Sequence, residues 1–255
     1  MLGDTLQLIT SIAALLLGAA YVFGGLVVNL HLARYGVIEY QVLRIKYLVV
    51  GLVFMANFVA VLVGASVATL VALSLSPSTG LTAYLVMSLL AAILLIGLWA
   101  LEKRFRKRNL VLNWVIFWVL STLALLHPVM VAVRQSIVGS TTLYEAVQIA
   151  GAGLAGILAL IGQVYFYAGY IYGNPAALDP VGMGIPVRVR LAGTKADIEL
   201  LRNLGLPAEP ETDLTGGLLL LDETDSHYII ATGTTAIEQV FKIDKGLVKG
   251  IVYFT

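Results

Sequence analysis

The sequence predicts a membrane-embedded all-α bundle of about five transmembrane helices, followed by a small, mostly β domain with the order β-α-β-β-β-β. Two observations lead to this fold class. Of the 255 residues, 59% are hydrophobic and only 12% are charged, and the mean hydropathy is +0.92; soluble domains have roughly 45–50% apolar residues. Long charge-free runs precede residue 187, whereas most acidic residues follow it. The two regions therefore suit different solvents, and the first suits lipid.

The helical spans follow from the length of each apolar run. A helix needs roughly 20 apolar residues to cross about 30 Å of hydrocarbon, because no backbone polar group can stay unpaired there. The first run is about twice as long as the hydrophobic segment of a signal peptide, so we interpret it as a retained anchor. The predicted transmembrane domain covers residues 1–173, and its spans are 6–32, 47–75, 81–101, 110–133 and 143–172.

Cationic loops predict the orientation of these spans. Arg34, Arg44 and Lys46 lie between the first two spans, and a denser cluster between the third and fourth comprises Lys103, Arg104, Arg106, Lys107 and Arg108. Since cationic loops stay on the cytoplasmic side, we expect a cell (inner) membrane protein of a bacterium or archaeon, with the N-terminus outside and the C-terminal domain in the cytoplasm. The denser cluster is also a candidate site for anionic lipid headgroups, although its role as the topology signal is enough to explain it.

Composition excludes several classes of function. A net charge of +1 gives no reason to expect nucleic acid as a partner. The absence of cysteine excludes disulfides, thiolate metal sites and cysteine nucleophiles. The three histidines are isolated in sequence, without the spacing that holds a metal on one helix face. We therefore predict no catalytic residue, no cofactor and no metal, and interpret the chain as non-enzymatic.

His127 and Pro128 form a candidate buried polar kink in the fourth span. A proline inside a helix removes one hydrogen bond and frees a carbonyl, and an ionisable residue inside a membrane is a functional candidate by default. The alternative is a neutral imidazole that is simply satisfied by the freed carbonyl.

The fifth span carries polar and small residues on one helix face, at steps of three and four. One interpretation is that this face packs against a neighbouring helix, with Gln148 and Gln163 as interhelical hydrogen-bond partners. The other is that copies of the face surround an aqueous path. Tyrosines at the end of this span suit an interfacial anchor belt. The face comprises Glu145, Gln148, Ala152, Gly156, Ala159 and Gln163.

After a Gly- and Pro-rich linker at residues 174–186, a soluble pattern covers residues 187–255. One short helix is predicted at 195–204. So small a domain buries a modest core, and we expect it to lean on the membrane region, on a copy of itself or on a partner. Strands are predicted at 187–191, 218–221, 228–231, 237–243 and 247–254.

The layout resembles that of small-conductance mechanosensitive channels, in which a Gly/Ala-rich pore helix is followed by a small β barrel. The resembling residues are 146–163 and, more loosely, 237–254. Where those channels carry a Pro-Asn turn, this chain reads Ile243-Asp244-Lys245-Gly246. We therefore carry over no functional residue from that family.

Three functional hypotheses follow. The first is an assembly or scaffold subunit whose fifth helix packs against other helices and whose cytoplasmic β domain docks a copy or partner. The alternative is a homo-oligomeric channel lined by the fifth helix. A membrane enzyme or carrier ranks last, because the spans show no charged pair and no inverted repeat. The expected partners are the lipid bilayer and either further copies of the chain or other membrane subunits.

Overall fold

The computed structural model describes residues 2–33, 35–37, 44–75, 81–100, 110–138, 143–172, 187–208, 213–232 and 239–253. These residues divide into two compact units. The helical unit comprises Met1–Leu30 and Gln41–Ala176, and the sheet unit comprises His31–Tyr40 and Ala177–Thr255. The end of the first helix and the turn after it thus belong to the sheet unit.

Five helices are long and apolar enough to cross a membrane, as the sequence predicts. The fifth ends in a π-helical turn, Tyr167–Tyr172. The five are α1 (Leu2–Ala33), α2 (Ile45–Leu75), α3 (Leu81–Ala100), α4 (Leu110–Val138) and α5 (Leu143–Phe166). Helices α3, α4 and α5 pack against one another, and α2 packs against α4.

Helices α1 and α2 touch backbone to backbone where they cross. A Cβ added at Gly24 would lie 1.7 Å from the Tyr47 carbonyl oxygen, and one added at Gly51 would lie 1.6 Å from the Ala20 carbonyl oxygen. Any side chain at either position would have to push the helices apart. Small residues allow this kind of approach between membrane helices, where packing rather than water drives association.

Glycine also sets the contact between α3 and α5. A Cβ at Gly162 would lie 2.9 Å from Leu95 Cβ and 3.1 Å from the Ala92 carbonyl oxygen. One helical face of α5 is therefore held directly against α3.

The sheet unit contains a five-stranded antiparallel sheet in the order β4-β3-β2-β1-β5. Its short helix α6 (Lys195–Asn203) follows β1. The strand and helix types follow the predicted order, with bounds shifted by a few residues. The strands are β1 (Val187–Ala192), β2 (Leu218–Glu223), β3 (His227–Thr232), β4 (Gln239–Asp244) and β5 (Gly250–Tyr253).

The connection between β4 and β5 requires the sheet to curl. In a flat sheet these two edge strands would be about 19 Å apart, because neighbouring strands are about 4.8 Å apart. The connection contains a single 3₁₀ turn, Lys245–Leu247, and reaches only about 16 Å when the rest is extended. The end of β4 and the start of β5 are therefore brought to within about 16 Å of each other, while both strands stay at the edges of the sheet.

Both faces of the sheet are apolar. One face packs on α6 through a core that includes Leu191, Leu201 and Ile230. The other face buries Leu221, Ile229 and Ala231, against which Tyr35 and Val37 pack. A register shift between Leu220 and Asp222 marks a bulge in β2. The sheet unit thus recruits the turn after α1 to cover its second face.

Helix α6 begins with a capping box. The Thr194 hydroxyl accepts from the Asp197 backbone N–H, and the Asp197 side chain accepts from the Thr194 backbone N–H. These bonds satisfy amides that have no partner within the helix. The hydrogen bond from the Thr194 hydroxyl, then that from the Thr194 N–H and the charge of Lys249, lower the pKa of Asp197.

This lowered pKa predicts an acid-side loss of stability. A carboxyl whose pKa is lower in the folded than in the unfolded state contributes stability that is present above its unfolded pKa, about 4, and is lost as the pH falls through the folded pKa. Carboxyl groups in proteins titrate between roughly pH 2 and pH 5. We therefore expect Asp197→Asn to reduce the loss of thermal stability of the whole chain over this range, from about pH 5 to about pH 2. An unchanged pH profile would contradict this role, and Glu199→Gln, on the exposed face of α6, is the matched control.

Candidate functional site

Helix α4 contains Pro128, and directly before this proline a serine from α3 bonds to the helix backbone. The Ser88 hydroxyl accepts from the His127 backbone N–H (3.0 Å) and donates to the Leu123 carbonyl (2.9 Å). A regular α-helix pairs those two backbone groups with each other. Pro128 has no N–H to offer the Ala124 carbonyl. A neighbouring helix thus supplies hydrogen bonds to the backbone of α4 next to its internal proline.

The imidazole of His127 bonds to α5. Its Nε2 lies 2.9 Å from Gln148 Oε1, and the exposed fractions of the two residues are 0% and 5%. With Oε1 as the acceptor, Nε2 is the donor, and in a neutral imidazole Nδ1 is then the acceptor nitrogen. Among the described residues Nδ1 has no hydrogen-bond partner. We refer to Ser88, His127 and Gln148 as the polar centre.

The predicted face of α5 lies inside the helical unit. Its residues Glu145, Gln148, Ala152, Ala159 and Gln163 are all buried. A Cβ at the half-buried Gly156 would lie 3.9 Å from Pro128 Cγ. The structure therefore joins two candidates that the sequence presents separately, since His127 meets Gln148 and Pro128 meets Gly156.

Searches against protein-family models, curated proteins and solved structures found no significant match. The chemistry of the polar centre must therefore be argued from its own geometry. Imidazole, amide and hydroxyl groups can each donate and accept hydrogen bonds, and only the imidazole can also take up a proton. Within the described ranges no group of three or more His, Asp or Glu side chains could hold a metal ion.

Gln163 is the polar residue of the α5 face whose burial is least offset by hydrogen bonds. Its side chain is fully buried, and neither amide atom has a partner in the described part of the chain. Stacked Phe117 and Phe166 rings lie on one side along the α4–α5 contact, and the Pro128–Gly156 contact lies on the other. This antiparallel register places Gln163 level with Ser121, which is also fully buried. Among the described residues Gln163 makes no hydrogen bond to another helix, so its role as an interhelical partner stays a prediction.

Sequence reasoning missed a second polar contact near the end of α5. Asn113 Nδ2 donates to the Tyr170 carbonyl (3.2 Å), and the Tyr170 hydroxyl donates to the Leu98 carbonyl. These bonds serve the π-helical turn, whose backbone departs from the regular helical pattern. A lone Asn or Ser in an otherwise apolar span, such as Asn113 or Ser88, was the available signal.

The tyrosines of this turn lie inside the protein. Tyr167, Tyr170 and Tyr172 are buried, and Tyr167 makes edge contacts with Phe54, Trp114 and Phe117. They form an aromatic core between helices, whereas the sequence suggests an interfacial belt.

The cationic cluster at Lys103, Arg104, Arg106, Lys107 and Arg108 lies outside the described residues. Its role in topology or in headgroup binding stays a prediction.

Proposed function

We propose that the chain is a non-enzymatic integral membrane subunit in which the helical unit is the anchor and the sheet unit docks a second copy or another membrane subunit. The observation that carries this proposal is the burial of the α5 face within its own bundle. A face that is buried inside the bundle of its own chain, and that bonds to α4 through Gln148, is not available to recruit a partner, so docking is assigned to the sheet.

The β5 edge is the surface best suited to docking. Strand β5 is last in the strand order, pairs with β1, and exposes Val252 (46%) and Tyr253 (58%). It carries no charge between Gly250 and Tyr253. The opposite edge, β4, exposes Lys242 and Asp244. Since charged residues protect sheet edges from pairing and uncharged edges accept an added strand, the unguarded edge is the docking side.

A substitution on β5 tests this edge. Native mass spectrometry of the protein extracted in mild detergent is expected to show a complex larger than one chain, and Val252→Lys is expected to reduce its population at least tenfold, about 1.4 kcal/mol. The physical reason is that a lysine at the joint of two strands must give up its hydration. Gln239→Lys on the β4 edge is the matched control and should leave the complex intact. A monomeric wild-type protein without a companion would contradict the proposal.

The channel lined by α5 is less well supported by this geometry. Copies of the face could surround a pore only if α5 moved away from α4, which would break the His127–Gln148 bond. Planar bilayer recordings test it directly. Conductance that changes with Gly156→Leu would favour the channel over the scaffold.

A further inference from the structure

The hydrogen bonds of β1 show which of its backbone groups face β5. The Leu191 carbonyl accepts from the Thr215 N–H (2.9 Å), and the Leu191 N–H donates to the Thr215 hydroxyl (2.8 Å). Thr215 lies on the β2 side of β1, because its neighbour Leu214 bridges to Ala192 just ahead of β2. The Ala192 carbonyl points to the other side, where it accepts from the Lys249 N–H (2.8 Å). Both backbone groups of Leu191 therefore point away from β5.

The outward-facing groups of β5 follow from this alternation. Opposite residues of an antiparallel pair are hydrogen-bonded and non-hydrogen-bonded in turn. Ile251 lies opposite Leu191, and Tyr253 lies opposite Val189. These are the non-hydrogen-bonded pairs, so the backbone N–H and C=O groups of Ile251 and Tyr253 point away from β1. Among the described strands none lies beyond β5 in the sheet, and these four groups form its open edge.

This edge is complementary to itself. When two β5 strands run antiparallel with their Val252 residues opposite each other, Ile251 of each strand lies opposite Tyr253 of the other. The outward groups then form about four backbone hydrogen bonds. The Val252 side chains, each 46% exposed in one chain, meet in the central non-hydrogen-bonded pair, where side chains are closest. Strand β5 carries no charge, so the pairing places no like charges opposite each other.

We propose that β5 pairs with β5 of a second copy of this chain, antiparallel and with Val252 at the two-fold axis, so that the two sheets become one. The inference rests on the docking role proposed for the β5 edge, and it names the partner and the register. A register centred on Ile251 is less favourable. It places Lys249 opposite Tyr253, and the Lys249 N–H that this pair needs already donates to the Ala192 carbonyl.

A single cysteine at the axis tests the register, because the chain has no cysteine of its own. In Val252→Cys the two Cα atoms would be about 4.5 Å apart, which a disulfide can span. Tyr253→Cys, on the same strand and also exposed, is the matched control. Its two Cα atoms would be offset by two residues along the strand and roughly 8 Å apart, which is too far for a disulfide.

Both variants of the whole chain are oxidised mildly in detergent and analysed on non-reducing gels. We expect Val252→Cys to give a covalent dimer at least about tenfold more abundant than that of Tyr253→Cys. Native mass spectrometry of reduced Val252→Cys is expected to show two copies, so that the disulfide reports a complex that exists before oxidation. This combination of results supports the two-fold pair.

The remaining outcomes separate this inference from the docking role of the edge. A two-copy complex that Val252→Lys disrupts but Val252→Cys does not crosslink would overturn the two-fold register and leave docking at β5 intact. Equal crosslinking of Val252→Cys and Tyr253→Cys would do the same. A wild-type complex of one copy with a foreign subunit would overturn the second copy as the partner. A wild-type monomer without a companion would overturn both proposals.

Discussion

Gly51→Ala is expected to destabilise the helical unit by about 3 kcal/mol, at the upper end of the usual cost of overpacking. The added methyl carbon would lie 1.6 Å from the Ala20 carbonyl oxygen, and backbone atoms cannot move aside as a flexible side chain can. A carbon and an oxygen that are not bonded ordinarily come no closer than ~3 Å. Helices α1 and α2 would therefore have to separate by more than about 1 Å to make room for the methyl group. Thermal unfolding in detergent, followed by size-exclusion chromatography, measures the effect. Gly24→Ala should behave in the same way.

Two helix glycines with open space around them provide the matched controls. Added Cβ atoms at Gly18 of α1 and Gly97 of α3 would meet nothing within 4 Å. Because alanine favours a helix over glycine by roughly 0.5–1 kcal/mol, Gly18→Ala and Gly97→Ala should be neutral or slightly stabilising. If Gly51→Ala proved as mild as these controls, α1 and α2 would not cross at the glycines.

Gln148→Leu is expected to cost about 2 kcal/mol, within the range for leaving a buried donor unpaired. The substitution keeps the size of the side chain but removes the acceptor of the buried His127 Nε2–H. The same thermal unfolding measurement applies. Glu145→Gln, one turn earlier on the same face of α5, is a control because it keeps a polar group at a buried position.

A double-mutant cycle separates this hydrogen bond from general packing. His127→Leu combined with Gln148→Leu removes both partners, and the double variant should be less destabilised than the sum of the single variants by about 1 kcal/mol. Additive losses would mean that the two side chains contribute independently and that the polar centre does not act as a unit.

Local signals predicted the elements closely. Helix α6, expected at 195–204, forms at Lys195–Asn203. Thr194 and Asp197 cap its start, and Gly205 follows its end with a positive φ of 93°. Strand β5, expected from residue 247, begins at Gly250. The difference arises because Asp244 caps a 3₁₀ turn through a bond to the Gly246 N–H, a local competition that alternation of apolar residues does not reveal.

The candidate site was predictable only in part. Period and composition singled out Gln148 and His127, since polar residues in apolar spans stand out. The pairing of these two residues depends on the register of α5 against α4, and many registers bury equal apolar area. Ser88 was not predicted as a site residue, because a single serine adds little free-energy cost to an apolar span. Its partners are backbone groups of α4, which come within reach only when α3 packs on α4.

The sequence by itself determined the number of long apolar helices, the β-rich region after them and the order of its elements, because length, hydropathy and period are local properties. Tertiary structure decided which helix face meets which, placed β5 beside β1 at the sheet edge, and used the turn after α1 to cover the second sheet face. These choices depend on close contacts between distant segments, such as Gly51 against Ala20, where one methyl group decides whether two backbones can touch. Such complementarity belongs to pairs of surfaces and is not contained in either segment alone.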